Sequence, residues 1–384
     1  MAFITGQILQ GNCGPVVYTD GRYICSPTPD QPGVDPRAQD PINFYAKITG
    51  KPGETVNLDI RWPAYDESLI AFHKYRESTF FALAHNCVYT STDEQNWQRM
   101  EQVESDAESL TLRLHLTLTE PQCYVSVNYY YTCRMYQALR QELSASPFVQ
   151  IQTIGPARDG QDMFVFKVTD PDFPVESKQL IYLQGGLHCC EYGGMHLMDG
   201  VLRYLTGGSP EARALLKKYE FHVTPVASIA DWADGYKDEL FGDNNVGWDT
   251  LQDPEPRAID AYLRSLPKKP VFLLDVHNCR TENFLFLNEQ ESPEFIELQE
   301  RFASLVAEYC DFMPKGSIHR TRKVKYATFR LYACRNFGYG FCAEVSRFAL
   351  YNRALGKEEP LSRESFLRFG SQLPHAIDAF LSTL

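Results

Sequence analysis

Hydrophobic residues occur in short runs up to about residue 130, and Pro, Gly, Asp or Asn residues separate the runs. The stretch 112–118 alternates Leu with Arg, His or Thr, which is the pattern of a strand with one buried face. The clearest predicted strands cover residues 42–48, 56–62, 80–88 and 110–118. Short antiparallel strands at this spacing are typical of a β-sandwich.

The spacing of the hydrophobic residues changes after a Tyr-rich run and a helix-like stretch over 135–143. From Phe148 onward, strand-like runs alternate with longer segments whose hydrophobic residues recur every three or four positions. Strands are predicted over 163–168, 179–185, 220–226, 270–276, 283–287 and 339–345, and helices over 193–206, 254–265, 293–309 and 364–382. This alternation predicts an α/β domain with a mostly parallel mixed sheet covered by helices. We therefore expect an antiparallel β-sandwich domain over 1–147 and the α/β domain over 148–384.

The strongest chemical signal follows the predicted strand over 179–185. His188 and Glu191 lie three positions apart between this strand and the predicted helix over 193–206. In open α/β sheets, ligands bind beyond the carboxyl ends of the strands, and this pair lies at such an end. Because His-x-x-Glu also occurs often by chance, the pair needs support from the rest of the chain.

A second histidine, His277, ends the predicted strand over 270–276. The two strands then bring His188, Glu191 and His277 to one edge of the sheet. Two histidines and one carboxylate leave a fourth position on zinc for water, which is typical of a catalytic zinc site. Asp275 lies two residues before His277 on the same face, where it would orient a metal ligand. The alternative is that Asp275 and His277 form a hydrogen-bonded polar pair at a sheet edge.

A carboxylate, Glu344, lies within the hydrophobic run predicted as the strand over 339–345. A buried carboxylate is costly unless it is paired, hydrogen-bonded or used in chemistry. Hydrolysis at a zinc site needs a base that takes a proton from water and passes it to the leaving amine, and Glu344 is the candidate. The alternative is a salt bridge between Glu344 and Arg347 or another arginine.

The order His188-x-x-Glu191, His277, Glu344 resembles that of the M14 zinc carboxypeptidases, and it is most similar to their cytosolic branch. A small β-sandwich precedes the catalytic domain in that branch, as the strand pattern predicts here. Further similar segments lie at 124–132, 224–236, 325–330 and 344–348. The resemblance implies that His188, Glu191 and His277 bind Zn²⁺ and that Glu344 is the catalytic base. The implied reaction is hydrolysis of a peptide or small amide substrate.

The resemblance fails in the segment 237–250, which contains no arginine. The family has arginines there for the developing oxyanion and for the substrate's terminal carboxylate. Asp249 lies near the position of the expected Asn-Arg pair, so the charge at that position is reversed. Either arginines from other loops bind a terminal carboxylate, or the substrate carries a neutral or cationic group there. The candidate arginines are Arg280, Arg320, Arg322 and Arg330, and the candidate substrate-binding residues are Asp249, Arg280 and Arg330.

These observations predict a zinc-dependent amide hydrolase, with a true metallocarboxypeptidase as the alternative and an inactive binding protein as a third class. The net charge of −12 argues against a nucleic-acid partner. No hydrophobic run approaches the roughly 18 residues of a membrane helix, and the N-terminus lacks the pattern of a secretory signal. The 11 cysteines are scattered, odd in number and typical of reduced thiols. We expect a cytoplasmic protein without a membrane partner, and the sequence leaves the oligomeric state open.

Overall fold

The structure, a computed structural model, describes residues 1–28, 43–62, 87–235, 245, 247–280, 283–288, 291–321 and 328–384. At residues 279, 280, 284, 286, 288, 319 and 321 it describes the backbone alone. The chain divides into two compact units, Met1–Tyr136 with Asp231–Leu240, and Gln137–Ala230 with Phe241–Leu384. The domain boundary predicted between residues 147 and 148 stays a prediction.

Two five-stranded sheets form the first unit. Its strands are β1 (Phe3–Thr5), β2 (Val17–Thr19), β3 (Arg22–Cys25), β4 (Phe44–Thr49), β5 (Thr55–Arg61), β6 (Val88–Ser91), β7 (Gln98–Arg99), β8 (Val103–Asp106), β9 (Thr111–Thr117) and β10 (Gln122–Val127). One sheet has the order β1-β4-β10-β6-β7 and the other has the order β2-β3-β5-β9-β8. All neighbouring strands are antiparallel except β3 and β5.

One hydrophobic cluster contains buried residues from both sheets, among them Ile48 and Val125 of the first and Leu58 and Leu114 of the second. In β9, the leucines are buried while His115 is exposed, so the alternation read from the sequence places the buried face correctly. The predicted β-sandwich is therefore confirmed. Residues 80–86 of the predicted strand over 80–88 lie outside the described residues.

An eight-stranded mixed sheet is the centre of the second unit. Its strands are β11 (Val149–Pro156), β12 (Asp162–Val168), β13 (Gln179–Gly185), β14 (Tyr219–Thr224), β15 (Phe272–Arg280), β16 (Phe284–Asn288), β17 (Ile318–Thr321) and β18 (Tyr339–Ser346). They lie in the order β11-β12-β14-β13-β15-β18-β16-β17. The central strands β14, β13, β15 and β18 are all parallel, so their carboxyl ends lie at one edge. The hairpin strands β19 (Ala349–Asn352) and β20 (Lys357–Pro360) pair separately.

The described helices are α1 (Cys133–Leu143), α2 (Tyr192–Thr206), α3 (Pro210–Lys218), α4 (Ile229–Asp234), α5 (Pro254–Ser265), α6 (Pro293–Tyr309), α7 (Phe329–Asn336) and α8 (Arg363–Leu381). Leu274 and Val276 of β15 line the same apolar space as Leu197 of α2, Phe302 of α6 and Leu373 of α8. None of the described helices is long and apolar enough to cross a membrane.

The opposite face of the sheet packs against α5 and α7. Tyr182 of β13 contacts the ring of Phe329 in α7, and His222 of β14 contacts the ring of Tyr262 in α5. Helices therefore cover both faces, which confirms the predicted α/β fold. Since side chains alternate along a strand, Asp275 and His277 point to this second face.

Candidate metal centre and active site

The turn after β13 presents His188 at the carboxyl edge of the sheet. Gly186 has a φ of 65°, in the left-handed region that glycine adopts without strain. The backbone amide of Ser228 donates to the Gly186 carbonyl at 2.9 Å. The hydroxyl of Ser228 donates to the Leu187 carbonyl at 2.5 Å. The segment that follows β14 thus holds this turn in place through the hydrogen bonds of Ser228.

Three ligand atoms converge at this edge. Nδ1 of His188 lies 3.0 Å from Oε1 of Glu191, and Nδ1 of His277 lies 2.8 Å from Oε2 of the same carboxylate. The two Nδ1 atoms are 3.1 Å apart. All three side chains are buried. The structure therefore brings together the three residues predicted as metal ligands.

The arrangement of these atoms fits a zinc ion. Zinc bonds of about 2.0–2.1 Å in a tetrahedron place neighbouring ligand atoms about 3.3 Å apart, close to the separations in this cluster. The ring of His277 is oriented for this role, because its Nε2 lies 2.7 Å from Oδ2 of Asp275. A carboxylate only accepts, so Nε2 carries the proton and the lone pair of Nδ1 faces His188 and Glu191.

A chain of buried hydrogen bonds continues behind Asp275. Nε2 of Gln184 donates to Oδ1 of Asp275 at 3.1 Å. The hydroxyl of Tyr182 lies 3.1 Å from Oε1 of Gln184 and 3.1 Å from Oγ1 of Thr224. Asp275 is thus held on both carboxylate oxygens. The predicted role of Asp275 as a partner of a metal ligand agrees with this geometry.

The cluster carries negative charge that would attract a cation. Burial opposes ionisation of Glu191, but the imidazoles of His188 and His277 bring its pKa well below the usual value. Burial also disfavours the charged form of His277, yet the carboxylates of Asp275 and Glu191 raise its pKa well above the usual value. The ionised carboxylate of Glu191 would therefore attract a cation to this cluster.

A second group of possible ligands, Asp275, His277 and Cys342, lies on the far side of the His277 ring. Burial, followed by the carboxylates of Asp275 and Glu344, raises the pKa of the Cys342 thiol well above its usual value. A protonated thiol is a poor metal ligand, and Nε2 of His277 already donates to Asp275. The group of His188, Glu191 and His277 is thus the better metal site.

Glu344 lies beside His277 on the neighbouring strand. The two residues are register partners in the parallel pair of β15 and β18. Register partners project their side chains to the same face of a sheet. Glu344 is buried, like the three ligands. The strands therefore place the predicted base next to the predicted metal ligands.

Comparison with known proteins agrees with this geometry. Residues 135–239, which include His188 and Glu191, match the family model for zinc carboxypeptidases, Peptidase_M14. This part of the chain is therefore similar to the M14 zinc carboxypeptidases. No curated protein matches the chain.

Solved metallo-carboxypeptidases share the fold of this chain. The enzyme from Burkholderia cenocepacia is 16% identical, with a TM-score of 0.79 over 100% of both chains. The enzyme from Pseudomonas aeruginosa, in complex with (2-guanidinoethylmercapto)succinic acid, is 16% identical, with a TM-score of 0.79 over 99% of each chain. At such low identity, these likenesses concern the fold alone.

The three predicted substrate-binding residues lie in different surroundings. Asp249 is exposed in a turn, next to the buried ring of Trp248. Nη1 of Arg330 lies 2.9 Å from Oε1 of Gln299 and 3.4 Å from Oε1 of Glu291, so its described partners are in α6 and just before it. The side chain of Arg280 lies outside the described atoms.

Other parts of the sequence argument also fall outside the described residues. Among them are Arg322, residues 236–244 and residues 325–327. The range 236–244 includes most of the segment without arginine. Arg320 is described, and it is half-exposed in an ion pair with Glu300.

The sequence did not point to Asn278 or Gln184 as residues of the candidate site. Gln184 had a usable signal, because it is a polar residue in an otherwise hydrophobic strand and is the register partner of Asp275. Arg347, considered only as an ion-pair partner of Glu344, donates from Nε to the Asn278 carbonyl at 3.1 Å and from Nη2 to the Cys190 carbonyl at 3.2 Å. It thereby joins the backbone beside His277 to the backbone beside Glu191.

Proposed function

We propose that the protein is a zinc-dependent hydrolase of peptide or amide bonds in which His188, Glu191 and His277 hold the ion. The observation that carries the proposal is the convergence of two Nδ1 atoms and one carboxylate within 2.8–3.1 Å of one another. The register of His277 with Glu344 adds a base beside that cluster. The match of residues 135–239 to the zinc carboxypeptidase family model supports the same chemistry.

Each residue has a separate task in this proposal. When bound, zinc would act as a Lewis acid that polarises a carbonyl and lowers the pKa of a water molecule. Asp275 holds the proton on Nε2 of His277 and so keeps Nδ1 available to the ion. The carboxylate of Glu344 accepts a proton from the attacking water and donates it to the nitrogen of the leaving amine.

We further propose that the substrate does not need a free terminal carboxylate. Arginine binds carboxylates well through its forked donors, but the segment 237–250 contains none. The guanidinium of Arg330 donates to Gln299. Asp249 is exposed, so its charge is screened by solvent. The proposal therefore depends on the absence of arginine from residues 237–250, and not on repulsion between Asp249 and a carboxylate of the substrate.

The second candidate is a metallocarboxypeptidase that removes C-terminal amino acids. The Pseudomonas enzyme of the same fold is in complex with a molecule that contains succinic acid, a dicarboxylic acid. A pocket for a carboxylate in this protein would need a cationic side chain. Arg280 is the candidate, and its side chain lies outside the described atoms.

Glu344→Gln tests the base. The variant keeps the shape of the side chain but removes its ability to take a proton, so we expect full zinc content and a loss of hydrolysis of about 10²- to 10⁴-fold. Glu255→Gln is the matched control, because Glu255 is equally buried in the same unit and accepts a hydrogen bond from the backbone of Arg158. Near-normal turnover of Glu344→Gln would show that another group takes the proton.

The end group of the substrate is tested with one peptide in two forms, with a free and with an amidated C-terminus. We expect the amidated form to be hydrolysed at least as fast as the free form. Asp249→Arg places a guanidinium in the segment that lacks one, and it should raise the relative rate on the free form. A strong preference of the unmodified enzyme for the free carboxylate would establish the second candidate instead.

A further inference from the structure

Asn278 occupies an irregular point between the two strands that carry the site. His277 pairs with Glu344, but the next register pair joins Arg280 to Ser346, so β15 has one more residue than β18 in this interval. Such a bulge interrupts the regular hydrogen bonds and redirects the side chains within it. Asn278 is the first residue of the interruption, and its side chain is buried.

The polar atoms of Asn278 contact three segments that carry the chemistry. Its backbone amide donates to Oε2 of Glu191 at 2.8 Å. Its Oδ1 accepts from the backbone amide of Gly193 at 3.0 Å, at the start of α2. Its Nδ2 donates to the carbonyl of Val345 at 2.8 Å, one residue after Glu344.

The contact with Gly193 replaces a missing helix cap. Glu191 occupies the position before α2 where a side chain normally accepts hydrogen bonds from the first turn, but it makes no such bond. Its carboxylate faces the two histidines instead. The side-chain Oδ1 of Asn278 accepts from an amide of that first turn, so Glu191 can serve the metal site without leaving this amide unsatisfied.

The glycine at residue 193 makes this contact possible. A Cβ atom at that position would lie 2.6 Å from Cγ and Nδ2 of Asn278, closer than side chains tolerate. The fit depends on both residues, which provides a second way to disturb the same contact.

We propose that Asn278 is a positioning residue that sets the separation between the metal ligand Glu191 and the base Glu344. This inference rests on the proposed function, since it gives Glu191 and Glu344 those roles. Asn278 acts through the helix start on one side and through the backbone of β18 on the other. The hydrogen bonds of its side chain go to the backbone of Gly193 and Val345.

Asn278→Ala is the direct test. Loss of a partner outside the ligand set typically weakens metal affinity or activity by about 10- to 100-fold. We expect the zinc dissociation constant, measured by competition with a chelator, to rise in that range, and the visible absorption spectrum of the Co²⁺-loaded protein to change. On the peptide pair described above, kcat and kcat/KM should fall together, because the geometry lost is that of the transition state.

Gly193→Ala is the second variant, for which the same changes in zinc affinity, cobalt spectrum and kcat are expected. It keeps the experiment decisive if Asn278→Ala does not fold. The matched control is Asn283→Ala. Asn283 is as buried as Asn278, its Nδ2 donates to the Phe312 carbonyl at 3.0 Å and its Oδ1 accepts from the Ser346 amide at 2.9 Å. That control should lose thermal stability without a change in zinc affinity or in the cobalt spectrum.

The inference is overturned if Asn278→Ala and Gly193→Ala lower Tm but keep the zinc affinity, cobalt spectrum and kcat of the unmodified protein. Failure of the proposed function looks different. The unmodified protein would then hydrolyse neither peptide, while zinc affinity and the cobalt spectrum would still show whether Asn278 positions the metal ligands.

Discussion

Replacement of Asp275 tests how the protein orients its metal ligands. In the unmodified protein, Oδ2 of Asp275 accepts from Nε2 of His277 at 2.7 Å and Oδ1 accepts from Gln184 at 3.1 Å. Asp275→Asn keeps the shape but has one acceptor and one donor group. When the side-chain oxygen of the new Asn faces His277, its amide nitrogen faces Nε2 of Gln184. Two donors then meet, so the side-chain amide of Gln184 must rotate to present its oxygen. The hydroxyl of Tyr182 can rotate to accept from the turned amide, since Thr224 is its other partner.

The expected loss of zinc affinity in Asp275→Asn follows from the hydrogen bonds that this rearrangement keeps. The number of hydrogen bonds is kept, so the cost is the exchange of a charge-assisted bond to His277 for a neutral one. Bonds to charged groups contribute about 1.5–3 kcal/mol and neutral ones about 0.5–1.5 kcal/mol, a difference of roughly 1–1.5 kcal/mol. We therefore expect zinc affinity to fall by about 10-fold in Asp275→Asn. Asp275→Ala removes the acceptor and should approach the 100-fold limit.

Zinc dissociation constants measured by chelator competition for the two variants provide the assay. The control is Asp170→Asn, another buried aspartate in the same unit, which pairs with Arg213 at 2.9 Å. It should lower Tm without changing zinc affinity. Equal zinc affinity in Asp275→Ala and the unmodified protein would refute the claim that Asp275 orients His277 for the metal.

Two further predictions concern the turn before His188 and a buried histidine. Gly186→Ala forces a residue at φ 65° to carry a side chain, which costs about 1–2 kcal/mol, and we expect lower Tm and weaker zinc binding. Gly208→Ala, at φ 76° with open space around it, should lower Tm alone. Burial lowers the pKa of His222 despite the nearby carboxylate of Glu220. The stability from neutral His222 is therefore complete above about pH 6.5 and is lost as pH falls through its lower folded-state pKa. Thermal unfolding of zinc-loaded protein from pH 7.5 to 5.5 should show a larger fall in Tm for the unmodified protein than for His222→Gln, and equal falls would contradict this.

The elements that position the site could be predicted because each has a strong local pattern. The helix over 254–265 and the helix over 293–309 have the bounds read from the sequence. Each begins with a proline in its first turn, and Ser292 caps the second. Helix α3 was missed although Ser209 and Pro210 provide the same signal, because its short hydrophobic pattern was not recognised.

Strands at the edges of the mixed sheet were harder to predict. β11 has no fully buried residue, and a bulge between Thr153 and Gly155 interrupts its alternation of hydrophobic and polar residues. β17 pairs with β16 alone among the described strands. Helix α6 separates β17 from β16 in the chain, so the position of β17 depends on a pairing that the local sequence does not encode.

The residues of the site likewise divide into those that the sequence could predict and those that it could not. The metal ligands and Glu344 lie at or near the carboxyl ends of recognisable strands, so the parallel order of β13, β15 and β18 is enough to bring them together. Asn278 could not be found, because its role depends on a bulge between two strands far apart in sequence.

The metal content of the purified protein tests the central claim most directly. Elemental analysis of protein purified without chelators should find one zinc per chain, and His277→Ala should lose most of it, because two ligands remain. Less than about half an equivalent of zinc in the unmodified protein would contradict the account, given the affinity expected of a three-ligand site. Full zinc content in His277→Ala would also contradict it, because the ion would then be held elsewhere.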